Sequence, residues 1–298
     1  MNPDANKKIS IIVPVFNGGK TLTDCLSSLL KQNWPGYEII VVDNNSTDNT
    51  KDIVQYFQTK HPNLLYILEK TQGRGVARNA GLAKASGEII AMTDADCIAP
   101  PDWLEKICAP IISGRAQITS GFQEDSIKNY WTKQRQLADW DFIKQKINGD
   151  FINHLDTKNF AGEAQLLKRL KFDQTLKAYE DWDLFIRLSQ ENIKIFFLPD
   201  LKVLHRHDSS FLELLKTQSE RGRNLSLILK KYQNDNFFKK NFKNSESAKS
   251  QSLRTFALFL PWSIWQLIIN PQRATYRITA DLAWKLGILQ SLFKKNKS

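Results

Sequence analysis

Cysteine is scarce in this sequence, with three residues among 298. A disulfide-stabilised scaffold would need more, and an odd number without C-x-x-C spacing argues against a structural zinc site. The scarcity therefore predicts a reducing compartment. The first ten residues also lack the apolar run of a secretory signal, so we expect no export by that route.

Acidic side chains are fewer than basic ones: 31 Asp+Glu stand against 42 Lys+Arg, a formal net charge of +11. The imbalance is local, because residues 1–208 carry 26 side chains of each sign, whereas residues 209–298 carry 16 basic and 5 acidic ones. An enzyme of nucleic acids would carry its basic excess around the active cleft. We therefore expect no nucleic-acid partner, and different roles for the two parts of the chain.

The first hundred residues alternate between short apolar runs and helical patterns, and a hydrophobic content of 42% is enough for a full core. The predicted strands are Ile9–Val13, which Pro14 would end, Glu38–Val42, Leu64–Leu68 and Glu88–Met92. The predicted helices are one that opens at a capping box of Thr21 and Asp24, then Asp48–Lys60 and Arg74–Ser86. Apolar strands alternating with helices predict an α/β fold, with a parallel sheet covered by helices.

Polar residues follow three of these strands. They are Pro14 to Asn17, Asp43 to Ser46, and Thr93 to Asp96. In open α/β sheets the ligand lies beyond the carboxyl ends of the strands, so these groups are expected at one edge.

Asp94 and Asp96 form a D-x-D pair at the end of the fourth predicted strand. Residues i and i+2 of an extended segment point the same way, so both carboxylates can address one site. Two hard oxygen donors suit Mg²⁺ or Mn²⁺, and such an ion keeps coordination positions for phosphate oxygens.

Three ordered blocks of sequence carry a resemblance to a known family: SIIVPVFNGGKTLTDCLSSLLKQ, EIIVVDNNSTDNT and GRGVARNAGLAKASGEIIAMTDADC. They resemble the nucleotide-diphospho-sugar-binding half of glycosyltransferase family 2, whose fold is of the GT-A type. The segment AYEDWDLFIRLSQENIKIFFLPDLKVLHRH extends the resemblance to about residues 8–210. It implies a Rossmann-like, mostly parallel sheet flanked by helices, with residues 1–100 as the nucleotide-sugar-binding half and 101–210 as the acceptor half.

The resemblance also implies roles for residues of the donor half. Asp43 would accept a hydrogen bond from the nucleotide base, in a pocket walled by Pro14, Phe16 and Asn17. Asn45 belongs to the same nucleotide-binding set.

Two arginines and the D-x-D pair complete the donor half. Arg74 and Arg78, one helical turn apart, would line the nucleotide side, with an ordinary surface role for Arg74 as the alternative. Asp94 would lie toward the ribose and the metal, and Asp96 would be the direct ligand of Mg²⁺ or Mn²⁺. The metal would neutralise the departing diphosphate.

In the acceptor half, Glu180 and Asp181 begin a helical pattern, and acidic residues there would also complement the helix dipole. The resemblance implies that Asp181 deprotonates the acceptor hydroxyl, so that direct attack inverts the anomeric centre. It also favours His205 as a further metal ligand, with a pair of surface histidines as the alternative and His207 left open. The stretch Asn159 to Arg169 departs from the family pattern, because Glu163 stands where an Asn is expected.

After Asp208 the sequence changes character. Phe211–Tyr232 and Ala274–Lys295 have the pattern of amphipathic helices, and Asn234–Ser252 is a Lys-rich connector. Between them, Thr255–Gln272 carries no charge but is interrupted by prolines and polar residues, which weakens it as a span. Its tryptophans and the neighbouring Lys and Arg favour attachment at a membrane interface over packing as ordinary core, and both over a true span.

The sequence therefore predicts a metal-dependent inverting glycosyltransferase with residues 1–210 as catalytic domain and 211–298 as a basic helical extension. It would move a sugar from a nucleoside diphosphate, UDP first, to a glycan or lipid-linked hydroxyl, in cell-surface polysaccharide or glycolipid synthesis. The expected location is cytoplasmic, at the inner face of the membrane, with peripheral contact through 211–298. The alternatives are a nucleotidyltransferase acting on sugar phosphates and a non-catalytic nucleotide-sugar-binding module.

Overall fold

The structure is a computed structural model that describes residues 7–126, 129–206, 210–241 and 271–294. The contacts divide these residues into two compact units. One comprises residues 7–126 and 140–206, and the other comprises residues 129–139, 210–241 and 271–294.

The first unit is built on one mixed sheet. Its strands are β1 (Ile9–Val15), β2 (Tyr37–Asp43), β3 (Leu64–Leu68), β4 (Ile89–Met92), β5 (Cys97–Ile98), β6 (Ile118–Asp125), β7 (Ile147–Asn148), β8 (Phe151–Ile152), β9 (Phe160–Glu163) and β10 (Ile195–His205). They lie in the order β3-β2-β1-β4-β9-β6-β10-β8-β7, and β5 pairs with β10. The four strands β1 to β4 are parallel, as are β6 and β10, whereas β9 is antiparallel to both β4 and β6.

Helices flank this sheet. They are α1 (Leu22–Leu29), α2 (Thr50–Gln58), α3 (Arg74–Lys84), α4 (Trp103–Ile112), α6 (Ala164–Leu170) and α7 (Glu180–Gln190). Helix α5 (Tyr130–Lys144) contributes residues to both units. A buried core joins strand residues such as Ile11 and Val41 to Leu26 of α1 and Trp103 of α4. The predicted α/β architecture with a mostly parallel, helix-covered sheet is confirmed.

Two local predictions are wrong. Pro14 does not end β1, which continues to Val15. The pairing with β4 stops at Ile12, so the missing N–H of Pro14 falls where no partner strand is present, while β1 stays paired with β2. Thr21 precedes α1 without a side-chain capping bond, because the Asp24 N–H, which a capping box would direct to the Thr21 hydroxyl, donates to the Thr21 carbonyl instead.

The second unit contains α8 (Phe211–Tyr232), α9 (Asn236–Asn241) and α10 (Pro271–Lys294), and α8 packs against α10. A Cβ added at Gly222 would collide with the Trp284 carbonyl, and one added at Gly287 with the Ser219 carbonyl. The two helices therefore approach each other closely where both lack a side chain.

The predicted helix Phe211–Tyr232 is confirmed, and the last helix begins at Pro271 rather than at Ala274. Across the described ranges, no helix has both the length and the apolar character needed to span a bilayer. Residues 255–270 of the predicted interfacial segment, and most of the connector that precedes it, lie outside the described residues.

Candidate active site

Six strands of the first unit, β1 to β4 with β6 and β10, end at one edge of the sheet. The last residues of β1, β2 and β4 are Val15, Asp43 and Met92. Strands β6 and β10 run in the same direction as these, since β9 is antiparallel to both β4 and β6, and they end at Asp125 and His205. The loops after β1, β2 and β4, which the sequence predicts to converge, therefore lie at this edge. The Asp125 carboxylate and the His205 imidazole lie at the same edge.

Asp96 and His205 meet at this edge. Strand β5 follows Asp96 directly and pairs antiparallel with the end of β10, with His205 opposite Cys97. His205 Nε2 lies 3.2 Å from Asp96 Oδ2. The Cys97 thiol is 3.7 Å from Asp96 Oδ1, and the three side chains offer ligand atoms within 4.8 Å of one another.

These residues fit a hard divalent cation. Adjacent ligands of an octahedral ion with bonds of about 2.1 Å are roughly 3 Å apart, close to the separation of Nε2 and Oδ2. Burial, with the carboxylates of Asp96 and Asp94 next, raises the pKa of the Cys97 thiol well above its usual value, so the thiol stays protonated. The carboxylate and the imidazole are thus the better donors; the carboxylate suits Mg²⁺ or Mn²⁺, and the imidazole is better matched to Mn²⁺ of the two.

His205 is held on both sides of its ring. Nδ1 lies 3.2 Å from Asp125 Oδ1, and the residue is 8% exposed. Burial alone would lower the pKa of His205, but the hydrogen bonds with Asp125 and Asp96 outweigh it and raise the pKa to about 8. Asp125 was not predicted from the sequence.

Arg78 joins the D-x-D motif to the E-D pair. From α3 its Nη1 donates to Glu180 Oε1 at 2.7 Å and its Nη2 donates to Asp94 Oδ1 at 3.3 Å. Burial would lower the pKa of this guanidinium, which is 3% exposed, but Asp94 and Glu180 raise it. Arg74, one turn earlier on α3, is exposed. The two arginines predicted together thus have different surroundings.

Asp181 lies at the beginning of α7, after Tyr179 in the left-handed region at φ 66°. Its Oδ1 accepts a hydrogen bond from the Trp182 N–H at 2.8 Å. Burial, then the negative charges of Glu180 and Asp156, raise the pKa of Asp181 to about 6 against the opposing effect of Arg78. A carboxylate with such a pKa is a stronger base than an ordinary Asp and is still mostly ionised at pH 7.

Lys158 adds a cation that the sequence analysis missed. Its Nζ lies 2.8 Å from Asp156 Oδ2. Burial would lower the pKa of Lys158, whereas Asp156, then Asp94, raise it. Positive charges of Lys158 and Arg78 therefore accompany the carboxylates around Asp94.

Asp43 is buried at the end of β2, with 2% exposure. One carboxylate oxygen accepts from Tyr66 Oη and the other from the Ser46 N–H, each at 2.8 Å. The neighbouring Asn44 donates to the carbonyls of Glu69 and Thr71 and accepts from the Gly73 N–H, which ties β2 to the start of α3.

The loop after β1 is fixed to the loop after β2. Asn17 Oδ1 accepts from the Thr47 N–H at 2.9 Å, and the Asn17 N–H donates to Ser46 Oγ at 2.8 Å. Asn17 and Asn45 are both left-handed, at φ 53° and 66°, a conformation that Asn tolerates well. Phe16 is 53% exposed, Pro14 is half-buried and Asn45 is exposed.

Glu163 lies away from this edge. It pairs with Ile89, the first residue of β4, and its Oε2 accepts from Gln117 Nε2 at 2.9 Å. The departure from the family pattern at Glu163 is thus at the opposite edge of the sheet. His207, the alternative to His205, lies outside the described residues.

The model of the family Glycosyl transferase family 2 matches residues 10–176. Glycosyltransferase AglE of Haloferax volcanii is 36% identical over 141 residues, which are 46% of this chain and 46% of AglE. A Campylobacter jejuni protein, GalNAc(5)-diNAcBac-PP-undecaprenol beta-1,3-glucosyltransferase, is 27% identical over 229 residues, 70% of this chain and 73% of the relative. The chain spans about half the length, or less, of the first curated relatives that it matches.

Among solved structures, the mannosyltransferase PcManGT from Pyrobaculum calidifontis, in complex with GDP-Man and Mn²⁺, is similar with a TM-score of 0.72. The likeness covers 99% of this chain and 90% of PcManGT at 19% identity, so it concerns the fold. The family match includes Asp43, Asp94 and Asp96 and extends over more than half of the sequence. This protein therefore belongs to glycosyl transferase family 2.

Proposed function

We propose that the protein is a metal-dependent inverting glycosyltransferase that moves a sugar from a nucleoside diphosphate donor, UDP first, to a hydroxyl group. The observation that carries this proposal is the position of Arg78, which donates to both Asp94 and Glu180. It joins the motif expected to hold the donor to the pair expected to carry the base. A binding module would need no base with a raised pKa beside its ligand site.

Each residue of the edge has one task in this proposal. Asp43 accepts a hydrogen bond from the nucleotide base, beside Pro14, Phe16, Asn17 and Asn45. Arg74 contributes positive charge on the nucleotide side of the site.

Asp96 and His205 would hold Mg²⁺ or Mn²⁺, and Asp94, which accepts from Arg78, would lie toward the ion and the ribose. When bound, the ion supplies Lewis-acid stabilisation of the negative charge on the diphosphate.

Asp181 performs the proton transfer. It takes the proton of the acceptor hydroxyl while the acceptor oxygen forms a bond to the anomeric carbon. The bond from that carbon to the diphosphate breaks with its electron pair, and attack opposite the leaving group inverts the configuration. General-base assistance of this kind is worth about 10²- to 10⁴-fold in rate.

The acceptor is proposed to be a glycan or a lipid-linked saccharide, used in making cell-surface polysaccharide or glycolipid. The name of the Campylobacter jejuni relative includes a PP-undecaprenol acceptor, which supports the lipid-linked class. The chain from residue 209 onward carries 16 of the 42 basic side chains. We therefore propose that residues 211–298 attach the catalytic domain (1–210) to the inner face of the membrane.

The test is a screen of UDP-sugars and GDP-sugars for release of the nucleoside diphosphate, with and without Mn²⁺. We expect release with one donor class that depends on the metal and falls at least 100-fold in Asp96→Ala and Asp181→Asn. Asp52→Asn, an exposed acidic residue of α2, is the matched control and should retain activity.

Three results would overturn the proposal. The first is that no donor is hydrolysed or transferred, and the second is that both site variants keep full activity. The third is release of pyrophosphate from a nucleoside triphosphate with a sugar phosphate, which is the reaction of a nucleotidyltransferase.

A further inference from the structure

Strands β6 and β10 end in a pair of buried residues that face each other. In the parallel pairing, Asp125 stands opposite His205, and their side chains are 6% and 10% exposed. Asp125 Oδ1 lies 3.2 Å from His205 Nδ1, on the side of the ring away from Asp96. The imidazole is thus held between two carboxylates, one on each ring nitrogen.

The pairing depends on an irregularity in β10. Leu198 pairs with Gly121, but Lys202 pairs with Phe122, so residues 199–201 have no counterpart in β6. Asn159 fills this place, since its Nδ2 donates to the carbonyls of both Phe122 and Leu201 at 2.8 Å. Because these three extra residues shift the register of β10, His205 stands opposite Asp125 instead of a residue whose side chain points to the other face.

An ionised carboxylate can only accept hydrogen bonds, so Asp125 favours a proton on Nδ1, and Asp96 favours one on Nε2 until a cation binds between them. A neutral imidazole has a single N–H, and with that proton on Nδ1 the lone pair is on Nε2, which faces Asp96. Metal-ligating histidines commonly donate their other N–H to a carboxylate, which fixes the tautomer and raises ligand basicity.

We propose that Asp125 is a positioning residue for the metal centre, which keeps the His205 proton on Nδ1 and directs Nε2 to the ion shared with Asp96. The inference rests on the proposed function, in which His205 is a metal ligand. It adds a residue that touches neither donor nor metal but determines how well the metal is held.

The two strand ends should stay joined in the variants, and a neighbouring residue provides a matched control. The Ser126 N–H donates to the His205 carbonyl at 3.0 Å, so the two strand ends are joined without the Asp125 side chain. Glu124, the preceding residue, forms an ion pair in which its Oε2 lies 3.4 Å from Lys202 Nζ, and its side chain is 43% exposed. Glu124→Gln therefore removes the same charge from the same strand at a different place.

The experiment uses the full chain and Mn²⁺ alone as the probe, with free Mn²⁺ measured by electron paramagnetic resonance. We expect Asp125→Asn to weaken Mn²⁺ binding about 10- to 100-fold and Glu124→Gln to leave it within about twofold. His205→Ala, measured in the same series, should weaken binding at least as much as Asp125→Asn. The thermal unfolding curve of each variant checks that it is folded.

The second readout is the ¹⁵N spectrum of the His205 ring in the metal-free protein, at a pH well above the pKa of about 8. Because Asp125 and Asp96 face the two ring nitrogens at the same distance, the wild type should show a substantial population with the proton on Nδ1. Asp125→Asn should shift the proton toward Nε2, because Asp96 still faces the ring as a carboxylate while position 125 then carries a neutral amide.

The two levels of the inference fail differently. If His205→Ala weakens Mn²⁺ binding while Asp125→Asn changes neither affinity nor tautomer, the role of Asp125 is wrong and the metal site stands. If His205→Ala binds Mn²⁺ as tightly as wild type, the metal assignment in the proposed function is wrong, and the role of Asp125 is wrong with it.

Discussion

The Asp181 carboxyl group is half-buried near Glu180 and Asp156, and burial followed by these two charges raises its pKa to about 6. A general base works only when ionised. With Mn²⁺ saturating at every pH, so that protonation of His205 does not limit metal binding, we expect kcat/KM to be level above about pH 7 and to fall roughly tenfold per pH unit below pH 6, the profile of a base in the free enzyme. A pH–rate series with the donor found in the screen measures this limit.

The cause of the raised pKa can be tested with Asp156→Asn. Removal of this negative charge lowers the pKa of Asp181, so the acid limb of the profile should move to lower pH. Asp52→Asn should leave it in place. A wild-type profile without a limb near pH 6, or a limb unmoved by Asp156→Asn, contradicts the assignment of Asp181 as the base.

Single residues of the site were predictable where a motif carries them. Asp43, Asp94 and Asp96 follow apolar strands, and their place at one edge follows from parallel pairing alone. Asp125 and Lys158 carry no such signal, because each is an ordinary charged residue in a segment whose neighbours in the sheet cannot be inferred from sequence. A signal for Asp125 exists only once β6 and β10 are known to pair, and one for Lys158 only once β9, which it precedes, is known to lie between β4 and β6.

At the scale of elements, α3 holds the segment that leads into α7. Asn79 Nδ2 donates to the Phe172 carbonyl, and Asn79 Oδ1 accepts from the Phe172 N–H, both at 2.8 Å. Arg78, the preceding residue of α3, lies over the Phe172 ring and donates to Glu180. One helical turn thus fixes both this segment and the first residue of α7.

We expect Asn79→Ala to lower the free energy of unfolding by about 2–4 kcal/mol, since two buried backbone groups lose their partners. Turnover should fall as well, because Asp181 follows this segment. Urea denaturation and steady-state kinetics measure the two effects. Lys84→Ala, an exposed position on the same helix, is the control, and equal stability of both variants would contradict the role of Asn79.

The elements of the first hundred residues were predictable because their apolar runs are long and alternate regularly with helical patterns. Strand β9 was not, since FAGE is short and contains a glycine, and only its neighbours β4 and β6 make it a strand. The irregularity of β10 could not be predicted from the sequence either. It depends on Asn159, which is 40 residues away in sequence and also accepts from Trp103 Nε1.

At the scale of the whole molecule, the excess charge and the proposed catalytic residues are separated along the chain. Residues 1–208 are balanced, and residues 209–298 hold the excess. We expect the full chain to float with vesicles containing anionic lipids and to remain below with neutral vesicles, because attraction to anionic headgroups adds about 1 kcal/mol for each Lys or Arg near the surface. Flotation on a density gradient measures this. Recovery of the chain in the soluble fraction with anionic vesicles would contradict membrane attachment.

The burial of Arg78 between Asp94 and Glu180 has a consequence for ionic strength. At 0.1 M salt, dissolved ions largely screen the interaction between exposed charges that are more than about 10 Å apart. They screen buried pairs much less. Added salt should therefore release the basic extension from a lipid surface before it disturbs the link between the two catalytic motifs. If both proposals hold, salt concentration would separate attachment of the protein to a membrane from its turnover of a water-soluble acceptor.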